Sequence, residues 1–102
     1  MKKITIRAVG VPWYSRERYA RILEVMEDSS VLPDTYEQWR QGAEASVLEL
    51  RTNGVTVIQA DIEPRKFVSW CRHRRHHANA AARQAFATGV ALVSICRYAG
   101  NG

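Results

Sequence analysis

The sequence predicts a single α+β domain over residues 1–102, in which about four helices cover one face of a small sheet of two or three strands. Two observations favour this class. Two short segments show the residue pattern of β-strands, and longer segments between and after them carry apolar residues at helical spacing. A chain of this length is the size of one domain, and no repeat or linker divides it. The predicted order of elements is β-α-α-β-α-α.

The first predicted strand covers residues 3–9, where apolar and polar side chains alternate as in a half-buried strand. Residues 10–12, which include Gly10 and Pro12, are expected to end this strand because glycine and proline interrupt regular structure. A helix is then predicted from about residue 16 to residue 27. Its predicted inner face comprises Tyr19, Ile22, Leu23 and Met26.

A second helix is predicted to begin near Thr35 and to end before Gly54. Asp34 and Thr35 each open a capping box with a Glu or Gln three residues later, so either residue can be the N-cap. Gly54 supplies the left-handed residue that commonly follows a helix. Gly42 costs about 1 kcal/mol of helix propensity relative to alanine, and we interpret it as a close crossing with another helix. The predicted inner face comprises Tyr36, Trp39, Ala43, Val47 and Leu50.

The second predicted strand, residues 55–62, is rich in β-branched side chains. Pro64 follows it and suits the first turn of a helix, because proline has no N–H to leave unpaired there and its φ is already close to helical. The helix that starts here is expected to pack through Phe67, Trp70 and Cys71, which lie at i, i+3 and i+4 spacing.

A last helix is predicted after Asn79, which is a good N-cap residue. Residues 89–97 fit two structures, since their apolar run also suits a buried strand. We favour the helix because the helical period continues through Gly89 without a shift.

The composition is that of an ordinary globular chain, with 46% hydrophobic and 25% charged residues. We expect a cytoplasmic protein, because the sequence shows no signal-peptide pattern and no apolar run of membrane-spanning length. Cys71 and Cys96 are expected to be reduced rather than bridged. The sequence holds no Ser or Cys paired with a base, and its carboxylates lie on predicted outer helical faces or at caps rather than paired in a polar pocket. We therefore predict a non-enzymatic protein without a cofactor.

All of the net charge of +5 lies in residues 54–102. A basic surface attracts phosphate backbones through counterion release, but a solvated basic face also keeps a protein soluble. No recognised nucleic-acid motif accompanies the charge. The candidate residues for binding DNA or RNA are Arg65, Lys66, Arg72, Arg74 and Arg75.

His73 and His77 are weak candidates for metal ligands, since they form an i, i+4 pair on the predicted helix. Structural zinc sites draw ligands from two separated segments, and the sequence offers no second cluster apart from Cys96. We therefore predict no metal site and interpret the histidines as part of a solvated helix end.

Trp13 and Tyr14 lie in the predicted loop after the first strand, where an aromatic pair can be either a contact point for a partner or a lid on the core. Both alternatives stay open at this point. Trp39 and Trp70 are predicted to be core residues because they lie on apolar helical faces.

Several short segments between residues 31 and 88 resemble a group of small bacterial proteins of unassigned function. They are LPDTYEQW at 32–39, GVTV at 54–57, IEP at 62–64 with Phe67, WC at 70–71, AAAR at 80–83 and FA at 86–87. The resemblance implies a bacterial cytosolic or mobile-element setting and brings no activity, cofactor or catalytic residue. The basic segment 72–77 departs from that group, whose helix end is less charged.

Two functions follow as expectations. A two-stranded sheet is marginal in water, so a symmetric homodimer that joins two sheets is predicted, and the protein is expected to be a protein-interaction domain. The alternative is a nucleic-acid-binding accessory protein of a phage or other mobile element that uses the basic second half. No membrane partner is expected.

Overall fold

The computed structural model describes the backbone of residues 7–100 and the side chains of residues 7–97. Within this range the chain forms two β-strands and four α-helices, which confirms a mixed α+β fold. Short 3-10 turns at Arg16–Arg18 and Ser29–Val31 flank the first helix. The elements are β1 (Ala8–Trp13), α1 (Tyr19–Val25), α2 (Tyr36–Thr52), β2 (Thr56–Asp61), α3 (Pro64–Arg74) and α4 (Ala80–Gly100).

The two strands are parallel, and Ala8 pairs with Thr56 at one end of the sheet. Residues 3–6 of the predicted first strand lie outside the described range, and Ala8 and Val9 lie in β1 as predicted. The expected stop at residues 10–12 is wrong, because β1 continues through them to Trp13.

Pro12 is compatible with the strand because its nitrogen points away from β2, where no bond of the ladder is lost. The carbonyls of Arg7 and Trp13 accept from the amides of Thr56 and Ile62, so these two residues direct their backbone groups towards β2. Pro12 is an odd number of residues from both, and such residues of a strand direct their backbone groups to the opposite side.

Helices lie against both faces of this sheet, which corrects the prediction of one covered face. On one face, Gly10 approaches α4 so closely that a Cβ atom on it would lie 2.1 Å from the carbonyl oxygen of Ala87. On the other face, the Trp13 ring packs edge-on against Trp39 of α2, with centroids 5.0 Å apart. Residues three apart in a strand point to opposite faces, so α4 and α2 sandwich the two strands.

The core lies beyond the carboxyl ends of the strands, among the four helices. Ile22 of α1 and Phe67 of α3 are fully buried there, together with Ile62 directly after β2. The predicted inner faces of α1 and α2 are confirmed in their main positions. Trp70 is only half-buried, in contrast to its predicted core position. The buried core residues are Tyr14, Tyr19, Ile22, Met26, Tyr36, Trp39, Ile62, Phe67, Cys71, Ala78 and Ala82.

Local caps start the helices as the sequence indicates. Thr35, rather than Asp34, caps α2: its hydroxyl oxygen accepts from the Gln38 amide at 3.2 Å. Pro64 opens α3, and the Glu63 carboxylate accepts from the Lys66 amide at 2.9 Å. A carboxylate at this position also interacts favourably with the positive end of the helix dipole.

The helical alternative is confirmed for residues 89–97, which lie within α4. Asn79 caps this helix, as predicted, by accepting from the Ala82 amide at 3.1 Å. The prediction for Gly42 is wrong, because this residue is exposed and no atom lies within 4 Å of a Cβ built on it. The close approach of backbone that we expected at Gly42 occurs instead at Gly10, between β1 and α4.

Candidate interaction surfaces

The five basic residues predicted to bind nucleic acid do not form one surface. Arg65 and Arg72 lie on one side of α3 and, with Arg21 of α1, line an open groove of about 410 Å³. We call this the α1–α3 groove; its other lining residues are Val25, Pro64, Val68 and Ser69. Lys66, next to Arg65, is exposed but does not line the groove.

Arg74 belongs to a different surface. Its guanidinium lies 4.7 Å from the centroid of the Trp70 ring, and His76 stacks on the same indole at 5.5 Å. Trp70 and Arg74 line a second groove, between α3 and α4, together with Phe86. Arg75 ends α3 in the left-handed conformation, with φ of 56°. Arg72 and Arg74 belong to the same basic segment of the sequence, but they line two different grooves.

The histidines do not pair as a metal site requires. Because α3 ends at Arg74, His73 and His77 do not share a helical face. His73 Nδ1 lies 3.1 Å from the carbonyl oxygen of Ser69, and His77 Nδ1 lies 3.1 Å from a carboxylate oxygen of Glu27. Among the side chains that the structure describes, no group of three or more His, Cys, Asp or Glu residues is placed to hold a metal ion.

Tyr14 lies in the core and Trp13 packs partly buried against it, an arrangement that favours the lid alternative. Tyr14 is 3% exposed, and its ring centroid lies 4.8 Å from that of Trp39. Trp13 is half-buried against the same indole. Burial raises the pKa of Tyr14 to about 12, so its hydroxyl stays protonated at neutral pH. Tyr14 therefore has no free surface to offer a partner, whereas part of Trp13 stays exposed.

A partly buried ion pair connects the turn after α1 to the start of α4. Arg83 is 5% exposed, and its Nη1 donates to the Asp28 carboxylate at 2.7 Å. The second oxygen of Asp28 accepts from the Ala80 amide at 2.9 Å. The hydrogen bond from Arg83 holds the pKa of Asp28 below its usual value. We did not predict this pair from the sequence. Arg83 directly follows Ala82 on the inner side of α4, and a charged residue in that position indicates a buried partner of opposite charge.

Among residues 7–100, no strand pairs with the outer edge of β2. Thr56 and Ile62 donate to β1, so alternate residues of β2 direct their amides and carbonyls away from it. Those residues are Val57, Gln59 and Asp61, and within residues 7–100 their backbone groups have no hydrogen-bond partner. A row of unpaired groups of this kind is a template for another strand.

The outer edge of β1 is partly protected by two features. Pro12 has no N–H to offer, and the Gly10 carbonyl accepts from the Gln84 side chain of α4 at 2.9 Å. The two edges of the sheet therefore differ: β1 is partly protected and β2 is available. Leu48 of α2, at 67% exposure, lines a shallow depression with Gln59 and adds apolar surface beside the open edge.

The chain matches no protein-family model, no curated protein and no solved structure. No helix in the described part of the chain has the length and apolar character needed to cross a membrane. The surfaces of the molecule are therefore the basis for assigning a function.

Proposed function

We propose that the protein is a non-enzymatic interaction domain that forms a homodimer by pairing the β2 strands of two subunits. The open edge of β2 carries this proposal, because its outward backbone groups have no partner within residues 7–100, while on β1 Pro12 lacks an N–H and the Gly10 carbonyl is already bonded. Joining two copies at this edge gives a continuous sheet of four strands, and sheets of three or more strands are much more stable than isolated pairs.

An antiparallel pairing about Gln59 fits the edge. Gln59 then lies opposite Gln59 of the partner subunit, and Val57 lies opposite Asp61 of the partner subunit. All of these residues direct their backbone groups outward, so each opposed pair exchanges two N–H···O bonds. The two-fold axis makes the edge complementary to itself, as an isologous interface requires.

The side chains are compatible with this pairing. Asp61 lies opposite an uncharged valine, so no like charges face each other across the new strand pair. Leu48 is exposed next to Gln59, so the partner subunit at this edge would bury part of its apolar side chain. The β2 edge of a second copy is thus complementary to this edge in its backbone hydrogen bonding, its charges and its apolar surface. The bacterial cytoplasmic setting is part of the same proposal and rests on the sequence alone.

The test is sedimentation equilibrium of wild type and two proline variants. Gln59→Pro removes an N–H from the open edge without removing a bond to β1, just as Pro12 does on the other strand. Ala8→Pro places the same substitution at an outward position of β1 and is the matched control. Circular dichroism establishes that each variant keeps its helical content.

We expect wild type and Ala8→Pro to sediment at twice the chain mass at micromolar concentration, and Gln59→Pro to sediment as a monomer. A wild-type monomer across the concentration series contradicts the dimer. A Gln59→Pro variant that remains dimeric contradicts the assignment of the interface to β2.

A further inference from the structure

We propose that the α1–α3 groove binds the sugar-phosphate backbone of nucleic acid. Guanidinium groups from two different helices line this groove, Arg21 from α1 and Arg65 and Arg72 from α3. Arg65 and Arg72 make no side-chain hydrogen bond or ion pair with any other residue in the described range 7–97. Their charges are thus available to an external anion.

The spacing on α3 suits a chain of phosphates better than a single one. Arg65 and Arg72 are seven residues apart, which places them on the same face of the helix at about 10.5 Å along its axis. Ser69 lies between them on that face and adds a hydroxyl donor. An arginine presents its N–H groups as a planar fork that fits phosphate oxygens, so the two ends of this stripe can each hold a different phosphate.

Arg21 faces this stripe from the opposite wall. It already contacts Glu24 at 2.7 Å, but both side chains of that pair are more than half exposed. Exposed pairs of this type contribute little to stability, so Arg21 can exchange its carboxylate for a phosphate at small cost. No acidic residue of the described side chains, residues 7–97, lines the groove itself.

The side chains that line the groove favour nucleic acid over an anionic membrane. Peripheral membrane binding uses large apolar side chains that protrude beside the cations. The exposed large apolar residues of the described chain lie elsewhere; they are Val31, Leu48, Leu92 and Val93. The apolar residues of the groove are small or half-buried, so the surface presents cations and one hydroxyl.

The contacts proposed here reach phosphates and no base edge, which implies binding without strong sequence preference. This inference does not depend on the dimer. The groove uses α1 and α3, whereas the proposed dimer uses the edge of β2, and the two are tested by separate variants.

The experiment measures fluorescence anisotropy of labelled duplex DNA and labelled duplex RNA over a series of salt concentrations. The test variant is Arg65→Gln with Arg72→Gln. The matched control is Arg74→Gln with Arg97→Gln, which removes the same charge from the groove between α3 and α4. Vesicles that contain phosphatidylserine are titrated in parallel.

Wild type is expected to bind at low salt and to lose affinity as salt rises. On duplex DNA, loss of two phosphate contacts reduces the slope of log affinity against log salt by about 1.8, while the control variant keeps the wild-type slope. Ser69→Glu places a carboxylate between the two arginines and is expected to weaken binding about tenfold or more. Binding to DNA, to RNA or to both supports the proposal and identifies the source of the phosphates.

Three results overturn it. The first is a wild type that binds neither nucleic acid at low salt, including one that binds only vesicles. The second is a control variant that changes the slope as much as the test variant. The third is a Ser69→Glu variant that binds as tightly as wild type.

Discussion

Asp28, in the turn after α1, holds the buried guanidinium of Arg83 at 2.7 Å and thereby ties this turn to the first turn of α4. The same carboxylate accepts from the Ala80 amide, so it also stabilises the start of that helix. A buried arginine depends on its partner, because an unpaired charge in the interior is far more costly than a paired one.

Asp28→Asn is therefore expected to lower the free energy of unfolding by about 3 kcal/mol, since it leaves Arg83 without its counter-charge. Denaturant unfolding followed by circular dichroism measures the change. Asp34→Asn removes an exposed carboxylate and serves as the control, with an expected change under about 0.5 kcal/mol. Equal losses in the two variants would contradict the structural role of the pair.

The same pair predicts a dependence of stability on acid. The hydrogen bond from Arg83 lowers the pKa of Asp28 in the folded protein below its unfolded value. The unfolded chain thus binds a proton more readily, and the contribution is fully present above about pH 4 and is lost as pH falls through the folded pKa. Melting temperatures measured between about pH 6 and pH 2 should fall more steeply for wild type than for Asp28→Asn. Parallel curves for the two proteins would show that Asp28 is not the linked group.

Gly10 and Gly42 are expected to respond to alanine in opposite directions. Gly10→Ala places a methyl group 2.1 Å from the Ala87 carbonyl oxygen and must displace α4 from β1, at a cost of about 3 kcal/mol. Gly42→Ala adds a methyl group in open space within α2 and should stabilise the protein by roughly 0.5–1 kcal/mol. Chemical denaturation of both variants measures the two changes, and a stabilised Gly10→Ala protein would be inconsistent with the contact between β1 and α4.

Arg75→Gly is expected to stabilise the protein by about 0.5–1 kcal/mol, because Arg75 ends α3 in the left-handed region that glycine occupies without strain. Arg72→Gly, inside the last turn of the same helix, is the control and should destabilise by up to about 1 kcal/mol. Thermal unfolding of the two variants decides between them. If Arg75→Gly unfolds at a lower temperature than wild type, the end of α3 is not as described.

Features set by neighbouring residues could be predicted from the sequence. The starts of α2, α3 and α4 depend on Thr35, Pro64 and Asn79, and each of these acts within one turn of its own position. The inner faces of α1 and α2 followed from periodicity for the same reason. On α4 the buried residues include Ala87 and Ala91, whereas Val93 is exposed.

Features set by distant partners could not be predicted. Pro12 interrupts a strand in general but is accommodated at the outer edge of β1, and only the pairing with β2 shows which side is outer. Gly10 and Gly42 are the same residue type, yet their surroundings differ because α4 packs on one of them.

The candidate sites show the same limit. Arg72 and Arg74 are nearly adjacent in sequence but face different grooves. Helical residues two positions apart are rotated by more than half a turn around the helix axis, so their side chains point to different sides. From the sequence we predicted only that a two-stranded sheet needs further strands, and not which strand has the open edge. Its location became clear from the alternation of backbone hydrogen bonds.

The most direct test of the proposed dimer is an isotope-filtered nuclear Overhauser experiment on a mixture of labelled and unlabelled chains. Antiparallel pairing about Gln59 places Ile58 opposite Ala60 of the partner subunit as a non-hydrogen-bonded pair, in which the α-carbons approach to about 4.5 Å. Within one strand these two residues are about 6.6 Å apart, so a contact between their α-protons arises only between subunits. The account predicts this intersubunit signal. Its absence from a sample that sediments as a dimer would show that the subunits associate through another surface.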